Sequence, residues 1–131
     1  GEMAIHVAVA SGKTAMVKTI INEDTRDGEL PGGITPFHLV SQFGHLDMIP
    51  VLLASRANKD RARGDGFSPL HIAAQEGNFG MANKLVELKA DAEKMTFDDR
   101  SPLFIAAGSG AVPIVQMLLE KKGDKDREMF G

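Results

Sequence analysis

The chain has 131 residues, 43% of them hydrophobic and 25% charged, which suits one domain able to bury a core. A formal net charge of −3 and the absence of cysteine, tryptophan and tyrosine exclude a disulfide framework and thiolate chemistry, and argue against nucleic acid, which wants a basic stripe with stacking aromatics. No apolar run approaches the ~20 residues of a membrane span, and the opening Gly1-Glu2-Met3-Ala4-Ile5 lacks the regions of a secretion signal, so an intracellular setting, cytoplasmic or nuclear, is expected.

The first recognisable element is Ala10-Ser11-Gly12-Lys13-Thr14, which ends in the residues of a phosphate-binding loop. That loop needs another glycine five residues before Gly12, where Val7 stands, and a branched side chain resists the positive φ of a phosphate nest. No nucleotide site is expected. After an acidic connection holding Glu23, Asp24, Asp27 and Glu29 comes Thr35-Pro36-Phe37-His38-Leu39, and this string returns as Ser68-Pro69-Leu70-His71-Ile72 and Ser101-Pro102-Leu103-Phe104-Ile105. The interval is 33 residues each time, with Met3-Ala4-Ile5-His6-Val7 as a worn earlier copy. Gly44, Gly77 and Gly110 keep the same spacing, and Gly12 precedes Gly44 by 32. Gly12 is therefore a repeat glycine.

Within each copy the hydroxyl residue caps a helix N-terminus and the proline supplies its first φ. About two turns later the glycine ends that helix in the left-handed conformation. A second helix follows, with apolar sets Leu46, Met48, Ile49, Leu52, Leu53; then Phe79, Met81, Ala82, Leu85, Val86; then Val112, Ile114, Val115, Leu118, Leu119. Each set is assigned to the core. The polar stretches from Arg56 to Phe67 and from Lys89 to Arg100 read as extended connections with a tight turn.

These residues and their period resemble the ankyrin repeat family, whose signature is Thr-Pro-Leu-His-x-Ala every 33 residues. The resemblance implies a mainly α solenoid of stacked antiparallel helix pairs with projecting β-hairpin loops, in repeats of approximately 1–29, 30–62, 63–95 and 96–128. Ala8, Ala73, Ala74, Ala106 and Ala107 would keep the first helices thin. The departures are Arg56, Lys89 and Lys122 in place of the usual glycine after the second helix, where an extended end or a different cap is expected. Pro50 stands inside a helix and is expected to distort it, Phe104 replaces a histidine, and Val40-Ser41 replaces an alanine pair.

Catalytic and metal readings fit this scaffold poorly. His6, His38 and His71 would stand on helices about 8–10 Å apart, too far for one zinc ion, and each is expected to hydrogen-bond backbone of its own or the next hairpin. Ser41, His45 and Asp47 are the residue types of a hydrolase triad, but the register puts Ser41 on a first helix and His45 in the following turn. No enzyme activity, metal or cofactor is expected. The basic connection of Arg56, Lys59, Arg61 and Arg63 reads as solvated loop charge or as a polar rim that orients a charged partner.

Together these features imply a protein–protein interaction module that docks another protein, with no membrane insertion. Two other readings are a targeting or regulatory segment of a longer enzyme, and an element that self-associates through terminal repeats. The chain starts inside a repeat and stops where another hairpin would begin, so a fragment of a longer array is expected. The resemblance places partner contacts at Ile34, Asp65, Phe67, Phe97, Asp98 and Arg100 on the hairpin tips, and at Gln42, Phe43, Gln75, Glu76 and Ser109 on the first helices. Phe43, Phe67 and Phe97 are read as exposed anchors, in contrast to Phe79, which is assigned to the core.

Overall fold

The computed structural model describes residues 7–15, 32–54 and 57–130, with side chains described as far as residue 123. His6, the acidic connection and Arg56 lie outside the described residues. A helical turn at residues 7–10 is followed by α1 (Pro36–Phe43), a 3-10 turn (Leu46–Met48), α2 (Ile49–Ala54), α3 (Pro69–Glu76), α4 (Phe79–Glu87), α5 (Pro102–Gly108) and α6 (Val112–Phe130). The first helices α1, α3 and α5 lie side by side, and the second helices pack behind them, α4 against both α3 and α6.

The repeat residues act as their chemistry dictates. Ser68 and Ser101 accept the amides of His71 and Phe104 at 3.4 and 3.1 Å, and the prolines that follow occupy the first turn, where no amide partner exists. Each first helix closes with a pair of backbone bonds around its glycine. Asn78 N–H donates to Ala73 at 3.0 Å and Gly77 N–H to Ala74 at 3.2 Å. The same pair runs from Lys13 to Ala8 and from Gly12 to Val9, both at 3.0 Å, with Gly12 at φ 70°. In "ASGKT" the glycine thus ends a helix, whereas a phosphate loop would start one.

Pro50 does alter its helix, though less deeply than expected. The second helices of the later repeats begin directly as α-helix at Phe79 and Val112, whereas here a 3-10 turn comes first and α2 starts at Ile49. Pro50 is then the second residue of α2, where its missing amide disturbs least. Of the two described substitutions for the post-helix glycine, only Lys122 takes an expected route; Lys89 keeps the glycine's own cap. Lys89 adopts φ 68° inside the same closing pair, Ala90 N–H to Leu85 and Lys89 N–H to Val86, both 3.0 Å. Lys122 instead lies within α6, which continues to Phe130.

The core is one continuous cluster that includes Phe37, Met48, Leu52, Leu70, Met81, Leu85 and Ile114, with Ala73 and Ala74 letting the first helices approach. Five residues assigned to it lie outside: Leu46, Leu53, Phe79, Val112 and Leu119 are 40–59% exposed. At about 100° per residue, Met81, Ala82 and Leu85 span an arc of about 100°, and Phe79 falls about 60° past its edge. Leu46 and Val112 hold the same angular place, so the core stripe is narrower than the apolar set. No helix among the described residues is long and apolar enough to cross a membrane.

Candidate functional site

The described connections between repeats project as fingers closed by backbone hydrogen bonds, with no strand among the described residues. Arg63 N–H donates to the Phe67 carbonyl and Thr96 N–H to that of Arg100, each at 2.9 Å. Neighbouring fingers are tied tip to tip: Gly64 N–H to Gly32 at 2.6 Å and Phe97 N–H to Asp65 at 3.2 Å. Gly66 sits at this join with φ 88°, where a Cβ would lie 2.5 Å from the Phe97 nitrogen. Only glycine allows the fingers to stack so closely.

The two described repeat histidines brace this arrangement from below. Thr35 N–H donates to His38 Nδ1 at 3.0 Å, which leaves the ring proton on Nε2, 2.8 Å from the Phe67 carbonyl. His71 repeats the pattern with Ser68 N–H at 3.1 Å and the Arg100 carbonyl at 3.0 Å. Burial holds the His38 pKa down, to about 4, with the Phe67 carbonyl opposing, Arg63 reinforcing and Asp65 opposing. Burial lowers His71 as well, against the Arg100 carbonyl. Both nitrogens of each ring are spent on the backbone.

The triad residue types do not meet. Ser41 Oγ is buried with no hydrogen-bond partner, and Asp47 Oδ2 accepts the Thr14 hydroxyl at 3.0 Å. Among the described residues no three His, Cys, Asp or Glu converge as a metal site.

The finger charges are paired locally. Asp65 accepts Arg63 Nε at 2.9 Å and the Phe67 amide at 3.1 Å; Arg63, foremost, pulls its pKa down. Asp98 accepts Arg100 Nε at 2.8 Å and the Thr96 hydroxyl at 2.6 Å, and these bonds, Arg100 first, lower its pKa to about 2. Lys59 stands 3.7 Å from Asp60. The second connection is therefore less basic as a surface than its sequence reads.

Of the expected contact residues, Gln42, Gln75, Glu76, Asp65 and Asp98 are exposed, while Ile34 and Arg100 are half-buried. Phe97 is 76% exposed and Phe43 37%, the latter with its ring 6.4 Å from His45. Phe67 is a correction. It is only 6% exposed, with its ring 5.5 Å from His71 and covered by Arg63 at 4.6 Å, so it seals its finger against the helix below. Ser109 is exposed, yet its hydroxyl donates to the Ala74 carbonyl of α3 at 2.9 Å and so staples two first helices. Among the exposed apolar residues outside the expected contact set are Met95 at 47%, near the Phe97 finger tip, and Phe104 at 61%, on α5. Met95 was visible as the apolar residue two before Phe97 in a polar stretch, and Phe104 as a phenylalanine where the other copies bond a finger through histidine.

A family model described as ankyrin repeats in three copies matches residues 5–98 and 60–129, nearly the whole chain. No curated protein matches it.

Proposed function

Because the chain belongs to the ankyrin repeat family, whose members are generally protein–protein interaction modules, we propose that it docks a partner protein across its finger tips and the exposed ends of its first helices. The observation that supports this reading is Phe97. A phenylalanine side chain 76% exposed buries little apolar surface where it stands, while its backbone is fixed by the bond to Asp65. A large apolar side chain held on a rigid backbone is how interface anchors are presented. Phe43, Gln42, Gln75 and Glu76 extend the surface along the helices, and Asp98 and Arg100 flank the anchor as a compensated pair. Ile34 and Phe67 support this surface by packing, and the exposed Asp65 and Ser109 brace it by hydrogen bonding.

The test compares capture of partner proteins by the wild-type chain, Phe97→Ala and Phe79→Ala. The tip reading requires that Phe97→Ala weaken capture and Phe79→Ala leave it intact. The reverse result would move docking to the outer face of the second helices.

A further inference from the structure

One six-residue string occurs three times in register: Arg56-Ala57-Asn58-Lys59-Asp60-Arg61, Lys89-Ala90-Asp91-Ala92-Glu93-Lys94 and Lys122-Gly123-Asp124-Lys125-Asp126-Arg127. Residues 57–61 and 89–94 turn away from the helices before them. Ala57 and Ala90 N–H close the helix ends on Leu52 and Leu85, each at 3.0 Å. The Asn58 side chain then accepts the Asp60 amide at 2.9 Å and the Asp91 side chain the Glu93 amide at 3.0 Å, the side-chain-mimicked turn open to Asn and Asp. The second loop is seated on the first: Asp91 N–H donates to Asp60 Oδ1 at 2.8 Å and Lys94 Nζ to the Asp60 carbonyl at 2.6 Å. The third string does not turn, because α6 runs through it to Phe130.

The seat for a third loop is nonetheless present. Ser68 and Leu70, in the repeat that the loop at 90–94 follows, are each 1% exposed. Their equivalents Ser101 and Leu103 are half-buried, and with Ala90, Ala92, Leu118 and Lys122 they line a groove of about 370 Å³. Gly123 also fits the loop better than the helix. A Cβ there would meet nothing within 4 Å, so packing gives no reason for a glycine that weakens the helix about fivefold relative to alanine. In the loop register its column is Ala57 and Ala90, small residues that are 7% and 9% exposed.

We propose that residues 122–127 form a two-state segment: the helical continuation of α6 seen here, and the repeat's turn seated in the groove beside residues 90–93. In the seated state Asp124 takes the place of Asp91, its amide meeting the Glu93 carboxylate as Asp91 meets Asp60. Arg127 takes the place of Lys94 over the Glu93 carbonyl. Phe130 then enters the column of Phe97. This inference stands on register and groove alone and does not depend on the docking reading.

Two single variants push the segment in opposite directions. Residue 122 occupies the place where Lys89 has φ 68°, so Lys122→Gly favours the turn and weakens the helix, whereas Gly123→Ala fits the loop column but extends the helix. By NMR on the full chain, Lys122→Gly is expected to move the carbon shifts of residues 123–127 from helical values towards those of 90–94. It should slow exchange of the Asp124 amide at least tenfold and shift the Leu103 methyls; adding Glu93→Ala should abolish the slowing without restoring helix. Gly123→Ala should make the segment more helical. The proposal is overturned if Lys122→Gly leaves the segment helical, or melts it with a fast Asp124 amide and unmoved Leu103. Protection that grows with protein concentration would also overturn it, by giving the groove to a second copy.

Discussion

His38 Nε2 donates to the carbonyl of Phe67, 29 residues further along the chain, at 2.8 Å, so a buried ring in one repeat holds the finger of the next. The same ring accepts the Thr35 amide at Nδ1, and that second bond needs Nδ1 unprotonated. The folded pKa of about 4 lies below the ordinary 6.5, so the unfolded chain takes up the proton first as pH falls. Stability is full above pH 6.5 and is lost between about 6.5 and 4, by about 3 kcal/mol for this group alone. Melting from pH 7.5 to 4.5 should show the fall, with His38→Gln less stable at pH 7.5 but shallower in its slope. An unchanged slope in the variant would remove His38 as the cause.

Ser41 is fully buried, its hydroxyl without a partner, in the column that holds the buried Val9 and Ala74 in neighbouring repeats. A buried unsatisfied hydroxyl costs about 1 kcal/mol or more. Ser41→Ala is therefore expected to stabilise the chain by about 1 kcal/mol in urea unfolding; a loss of stability would reveal a partner for the hydroxyl.

Lys89 stands at φ 68° to close α4, a conformation in which a Cβ is penalised and glycine is not. Lys89→Gly should gain about 1 kcal/mol with the circular dichroism spectrum unchanged. Asp99, at φ 63°, should gain less from the same change, because aspartate tolerates the left-handed region.

Phe67 and Phe97 should separate cleanly. Phe67→Ala removes a ring packed on His71 and is expected to cost about 3 kcal/mol or more of stability. Phe97→Ala should cost under about 0.5 kcal/mol while weakening partner capture. Equal losses of stability would mean that the Phe97 ring serves the fold.

The repeat was legible because its parts act locally: the cap of Ser68, the proline after it and the closing glycine are each fixed by bonds within a few residues, and their recurrence reveals the array. The histidine bridges followed once the fingers were known to stack. What could not be read was how neighbours share space. Phe67 and Phe97 look alike as loop aromatics, and only the cover of Arg63 and the His71 ring beneath distinguish the buried one. Phe79 belongs to the apolar set of α4, but the arc that α6 and α3 cover is narrower than that set. At Lys122 the missing glycine did point to an extended helix end, and α6 runs on to Phe130; how far it would run was not written in any single residue.

The finger and loop joins, Gly32 to Gly64, Asp65 to Phe97 and Asp60 to Asp91, each link one repeat only to the next. Even the staple from Ser109 to Ala74 spans just 35 residues. Tension applied to the two ends would load these joins in series, so the chain should lengthen in a staircase of near-equal steps. Each step would release about 33 residues, or roughly 110 Å of extended chain. A molecule built this way yields like a spring that gives coil by coil, and the relaxed coils can wind back onto those that held.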